Sequence, residues 1–240
     1  MERSKTVVPK ATKLGKKKTI DRNVHELALE RIHTAYDRFD TVIVMFRGGK
    51  DSTACLDLTL EVAKDRGHKT VEVHHFDEEA IPYETEDYVR RVYNNPMVDM
   101  KWWCIPVKHR NACSINHPWW HCWAPEEKDK WCRPLPPEGI TELEHYPTKI
   151  ENRLTIPQIN GLLFPPEKYG NVGMVMGIRC DESITRTRAI LQSSSRDDIH
   201  IIKFDDGTSL EPATEEKPGD TTSFNVVPLQ LSLVYQADQL

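Results

Sequence analysis

The chain has 240 residues, 38% of them apolar and 29% charged, enough for one large or two small domains with a real core. Its 32 basic and 37 acidic residues leave a net charge of −5, unevenly spread, with about +6 on residues 1–20 and about −11 on the rest. The acidic body argues against a broad nucleic-acid surface, and no apolar run is long enough to cross a membrane.

The basic segment 1–20 reads as a flexible solvated arm, with electrostatic contact to nucleic acid as the alternative. It has no signal-peptide core, so a cytoplasmic protein is expected. Residues 22–39 read as an amphipathic helix, since Val24, Leu27, Ala28, Ile32, Ala35, Tyr36 and Phe39 recur near a 3.6 period. Residues 41–46 are β-branched or large and apolar, as a buried parallel strand should be. Gly48 and Gly49 then permit a sharp turn, and Ser52 and Thr53 open a helix-forming segment over about 54–65. Residues 66–68 read as a stop, and 70–76 alternate like a second strand. Strand, helix and strand make a βαβ unit, hence a parallel sheet.

Asp77, Glu78 and Glu79 follow at the carboxyl end of the second strand, and 82–93 read as a helix opened by Pro and acids. A third strand is expected over 101–107. Residues 108–170 are Pro-rich and irregular, with short helices at most. A strand over 171–179 and a helix over 181–192 restore the α/β pattern. A further strand over 198–204, an acidic stretch over 205–223 and a last apolar stretch over 224–235 complete the chain. The expected fold is α/β, a doubly wound parallel sheet with a Trp/Cys-rich insert. Its segments are a tail (1–20), the first part of a nucleotide-binding domain (21–107), the insert (108–170), the rest of the domain (171–204) and a C-terminal segment (205–240).

The chemistry concentrates at residues 47–53, Arg-Gly-Gly-Lys-Asp-Ser-Thr. A helix N-terminus after a glycine turn presents backbone N–H groups and a favourable dipole to an anion. The spacing does not match a Walker A loop or a Rossmann fingerprint. It resembles the PP-loop of the ATP pyrophosphatase superfamily, Ser-Gly-Gly-x-Asp-Ser after an apolar strand. Gly48, Gly49, Asp51 and Ser52 fit, Lys50 takes the variable position, and Arg47 stands where the family has Ser.

Two more stretches narrow the resemblance. Residues 77–85, DEEAIPYET, are similar to the Asp-x-x-x-x-Pro-aromatic-Glu-Thr segment of phosphoadenosine phosphosulfate (PAPS) reductases. Residues 177–186, GIRCDESITR, resemble that family's Gly-Ile-Arg-x-x-Glu-Ser-x-x-Arg. Over about residues 22–192 the chain therefore resembles the PAPS reductase-like branch of the PP-loop superfamily. The resemblance implies an adenine nucleotide alpha hydrolase-like fold that binds ATP with Mg²⁺. Lys50, Asp51 and Ser52 would be catalytic, with Asp51 holding Mg²⁺ directly or through water. Arg47, Gly48, Gly49, Thr53, Asp77, Arg179 and Arg186 would bind nucleotide, the last two at its phosphate or sulfate end. The bland alternative for these arginines is pairing with Asp181 and Glu182. Glu78 and Glu79 are expected to be solvated charges.

The departures also carry information. A guanidinium at position 47 either grips the phosphates or fills their space, and the residues leave both readings open. The reductases attack sulfur with a C-terminal cysteine, but no cysteine follows Cys180, which lies inside the arginine motif. The family's Pro-x-x-x-Trp-x-x-x-Asp-Val segment is missing too, since no Trp follows Pro228.

All six tryptophans (102, 103, 119, 120, 123, 131) lie in 102–132 with Cys104, Cys113, Cys122 and Cys132; the remaining cysteines are Cys55 and Cys180. Soft thiolates suit Zn²⁺ or an iron–sulfur cluster, but such sites usually contain a close Cys pair and none exists. A packed aromatic subdomain with buried thiols is expected instead. Similar inserts occur in a regulatory subgroup of PAPS reductase-like proteins of bacteria and phages, and this one suits covering the nucleotide or docking a protein partner.

The leading expectation is an ATP pyrophosphatase-type enzyme that adenylates an acceptor. One alternative is a catalytically impaired nucleotide-binding regulator acting with a partner. Another is a sulfonucleotide reductase, opposed by the missing cysteine.

Overall fold

A computed structural model of the chain describes residues 22–177 apart from 112 and 148, together with the backbone of a strand at 226–230. Five strands form one parallel sheet: β1 (Thr41–Met45), β2 (Val71–Phe76), β3 (Val98–Trp103), a later strand Val172–Met176, and Val226–Gln230. Two short strands in the insert, β4 (Lys108–Arg110) and β5 (Trp119–His121), pair separately as an antiparallel hairpin. The later sheet strands are thus β6 and β7, and the sheet order is β3-β2-β1-β6-β7.

The helices are α1 (Val24–Arg38), α2 (Lys50–Asp65), α3 (Tyr83–Tyr93), α4 (Ile156–Leu163) and α5 (Pro166–Tyr169). In α1, the Asn23 side chain accepts from the His25 N–H, while Ala28, Ile32 and Ala35 face inward at helical spacing. In α2, the inward set is Cys55, Leu56, Thr59, Val62 and Ala63, and α1 packs against this helix. Helices flank a parallel sheet, an arrangement compatible with a doubly wound α/β fold.

Ile43, Val44 and Val175 are fully buried where β1 meets β6. Removing each such side chain from water contributes about 1.5–3 kcal/mol. β2 is buried on both faces, even at His74 and His75, because it runs between two strands with packing above and below. The alternation expected there is absent for that reason. Among the described residues β7 lies at the sheet edge, where Pro228 is tolerated.

Two elements start three or more residues earlier than expected. α2 begins at Lys50 rather than 54, so Ser52 and Thr53 lie in its first turn. The third strand is 98–103 rather than 101–107. Val98, Met100 and Trp102 alternate buried with their neighbours, whereas beyond Trp103 the chain leaves the ladder and Cys104 donates to Ile140 O instead. The tail 1–20, the motif arginines 179 and 186, Cys180, and the expected elements over 181–192 and 198–204 lie outside the described residues.

The two loop glycines separate cleanly. Gly48 has φ +74°, and a Cβ there would lie 2.9 Å from Thr85 Cγ2 and 3.2 Å from Val89 Cγ2. Gly49 is extended and would meet nothing within 4 Å. Gly48→Ala is expected to lower stability by about 1–3 kcal/mol, and Gly49→Ala to leave it within about 0.5 kcal/mol. Urea unfolding of both variants checks this, and equal losses would contradict it.

Candidate functional site

The strand order places β1 at a reversal. From β1 the chain moves outward through β2 to β3, and then returns to β6 on the other side of β1. In open α/β sheets the crevice for ligands lies at the carboxyl ends of the strands beside such a reversal. The turn at 47–49 leaves the carboxyl end of β1 there and runs directly into α2.

That turn is internally braced. Gly49 caps α2 with extended backbone, and no side chain caps the helix. The Ser52 hydroxyl donates to Gly49 O at 2.9 Å and accepts from the Arg47 N–H at 3.3 Å. The Thr53 hydroxyl also donates to Gly49 O, at 2.9 Å. Lys50 is exposed on the first turn, and Asp51 is half-buried beside it. A Cβ on Gly177 would lie 2.8 Å from the Asp51 carbonyl carbon, so the end of β6 is pressed against the start of α2. Gly48, Gly49, Lys50, Asp51, Ser52 and Thr53 are therefore brought together with the first residue of the 177–186 motif.

Arg47 leaves this cluster sideways. Its guanidinium forms an ion pair with Glu78, which follows the end of β2. Glu78 is thus a partner of the loop rather than a freely solvated charge.

Glu79 departs furthest from expectation. It is 4% exposed, has φ +62°, and organises the insert. Its carboxylate accepts the backbone N–H groups of Trp123 and Cys132, each at 2.8 Å, and its carbonyl accepts Arg133 Nε at 2.8 Å. Trp123 is itself in the left-handed region at φ +52°. Two such residues joined by a hydrogen bond persist only where the surroundings over-determine them.

Asp77 is also occupied. Its carboxylate accepts from Arg133 Nη2 at 2.5 and 2.6 Å, from Trp102 Nε1 at 2.8 Å and from the Glu79 N–H at 2.8 Å. It is 1% exposed, and these bonds anchor the insert to the end of β2. Arg133 extends the network to Glu86 Oε2 at 3.1 Å and lies 5.0 Å above the Trp123 ring. Sequence reasoning missed Arg133. Its signal was weak, a single basic residue in an irregular Pro-rich run.

His75, next to Asp77, is also buried. Nδ1 lies 2.9 Å from Phe46 O, and burial lowers its pKa. Burial pushes the Cys55 and Cys122 thiols up to about 12 and raises Cys104 as well. These three are packed core thiols. Cys113 and Cys132 are exposed, and among the described residues no group of three or more His, Cys, Asp or Glu is placed to hold a metal ion. Trp102 and Trp103 belong to β3, so the aromatic segment begins in the central sheet and continues into the insert.

No protein-family model matches the chain. Over 172 residues it is 33% identical to a protein of Escherichia coli (strain K12) that bears the name Uncharacterized protein YbdN. The match takes in 70% of this chain and 41% of that protein, so the chain spans less than half the length of the relative it matches.

Removing Arg133 leaves the buried Asp77 carboxylate without its cation, whereas Glu86 keeps Arg90 at 2.8 Å. Arg133→Leu is expected to lower stability by about 3–5 kcal/mol. Denaturant midpoints check this, and a loss below about 1 kcal/mol would show that the network is not needed.

Proposed function

We propose that this chain carries an adenine-nucleotide site of the PP-loop type, similar to the PAPS reductase-like branch, and cleaves ATP between its α and β phosphates. The observation that supports this is the place of the Gly48–Gly49 turn and the α2 N-terminus, at the carboxyl edge where the strand order reverses. A triphosphate there meets the α2 dipole and first-turn N–H groups, with Lys50 exposed on the same turn.

In this reading the nucleophile of an acceptor attacks the α phosphorus, and pyrophosphate leaves with the electrons of the α–β bridging bond. The chain positions the phosphates and spreads their charge over backbone amides and Lys50. Asp51, half-buried against Gly177, fits the single carboxylate that Mg²⁺ commonly takes beside phosphate oxygens. When bound, that ion would neutralise phosphate charge. Gly177 beside Asp51 also favours Arg179 and Arg186 as further phosphate ligands, because their motif starts there.

A second reading is nucleotide binding without turnover, in a regulatory protein that acts with a partner. The Arg47–Glu78 pair favours it, because a carboxylate already occupies the guanidinium at the edge of the loop. The sulfonucleotide reductase reading has less support, since Cys55, Cys104 and Cys122 are buried with raised pKa values.

Titration calorimetry with Mg-ATP, and with PAPS as comparator, tests the site in the present chain and in Arg47→Ser. The expected result is Mg-ATP binding by both, with pyrophosphate released and the acceptor adenylated once an acceptor is supplied. Binding by Arg47→Ser alone would make the chain an inactivated form. Binding of neither nucleotide by either protein would overturn the reading.

A further inference from the structure

The insert contains a cleft that the phosphate loop does not use. Its volume is about 230 Å³, and it opens between β5 and the turn at 125–132. Trp120 and Trp131 line it together with His121, Cys132 and the buried Glu79. Lys130 also lines it and is paired with Glu127 at 2.9 Å.

Both indoles are held in place before any ligand arrives. Trp131 donates Nε1–H to Ala124 O at 3.0 Å and packs edge-on against Trp123 at 5.1 Å. Trp120 lies 5.4 Å from the His109 ring across the hairpin. Glu79 holds the cleft floor through its bonds to the Trp123 and Cys132 amides. Preorganised aromatic walls lose little entropy when a flat ring enters.

Charge decides what kind of ring. Aromatic walls beside a carboxylate also suit an organic cation. Here, however, Glu127 is already paired with Lys130, and Glu79 is satisfied by two backbone amides and lies close to Arg133. Lys128 occupies space over the Trp131 ring, at 5.7 Å. Burial, with Arg153 and Lys108 nearby, lowers the pKa of His121. A second cation gains nothing from such surroundings. The His121 ring and the Glu79 carboxylate give the cleft wall a polar part beside the indoles. Such a mixed lining suits a ring with polar atoms rather than a hydrocarbon.

We propose that the cleft between Trp120 and Trp131 is a binding site for a neutral, planar nitrogen heterocycle of nucleobase size. Its volume is below the usual range for drug-sized ligands and suits a single flat ring system. Glu79 follows Glu78, the partner of Arg47, so the cleft adjoins the phosphate loop along the chain. The heterocycle is therefore either the base of a loop-bound nucleotide or a free ring. The proposal does not need the phosphate loop to function.

The test is adenine titration followed by intrinsic fluorescence, because all six tryptophans lie between residues 102 and 131. Saturable quenching is expected, and Trp131→Leu should weaken it at least tenfold through loss of stacking. Cys132→Phe gives a second, gentler variant. Position 132 is exposed, its backbone bond to Glu79 survives the change, and the new ring fills the cleft. Far-UV circular dichroism and melting curves confirm that each variant folds. Linear, unsaturable quenching, or unchanged affinity in folded Cys132→Phe, would overturn the proposal.

Competition separates the two sources. If Mg-ATP displaces adenine, the cleft takes the base of the loop-bound nucleotide. If both bind together, it takes a separate heterocycle. Adenine binding in a chain that fails to bind Mg-ATP would sink the phosphate-loop reading and leave this one standing.

Discussion

The ion pair between Arg133 and Asp77 is the constraint on which the rest of the site depends. Both side chains are almost wholly buried, and 56 residues separate them along the chain. A carboxylate with three kinds of donor and a guanidinium with three acceptor groups can exist in that interior only together. Their pairing fixes where the irregular insert meets the carboxyl edge of the sheet. Glu79 then sets the height of the insert through the Trp123 and Cys132 amides, and Glu78 turns outward to meet Arg47. Three consecutive acids thus perform three tasks, two toward the insert and one toward the phosphate loop.

This arrangement explains why the insert is continuous with the core. Cys122 and Trp123 belong to the same apolar cluster as Ile43, Val73 and Trp102. After Arg133 the chain returns along β3, where Ile140 bridges Trp103 and accepts the Cys104 N–H. A ligand that displaced Arg47 from Glu78 would therefore act on a residue whose neighbour holds the aromatic cleft. Loop and cleft are linked through one turn of backbone.

Much of this was legible in the residues. The run 41–53 declared a strand, a tight turn and a helix because apolar β-branched residues gave way to paired glycines, and those elements are present. β3 was misplaced by three residues, since the apolar run 104–107 outweighed the alternation of Val98, Met100 and Trp102. That alternation was the better signal, because Pro106 cannot donate to a ladder. The Asp77–Arg133 pair left no trace in any local window. A long-range ion pair has no periodicity, and acids after a strand look alike whether buried or solvated. Glu79 was misread for that reason.

The central claim is that the turn at 47–53 receives a nucleotide's phosphates at the reversal point of the sheet. Backbone amide chemical shifts in ¹⁵N-labelled protein, followed during Mg-ATP addition, address it most directly. The account predicts that the largest shifts fall on the amides of Gly48, Gly49, Lys50, Asp51 and Ser52, with smaller ones at Glu78 and Gly177. Shifts confined to other parts of the chain, or none at saturating nucleotide, would contradict it.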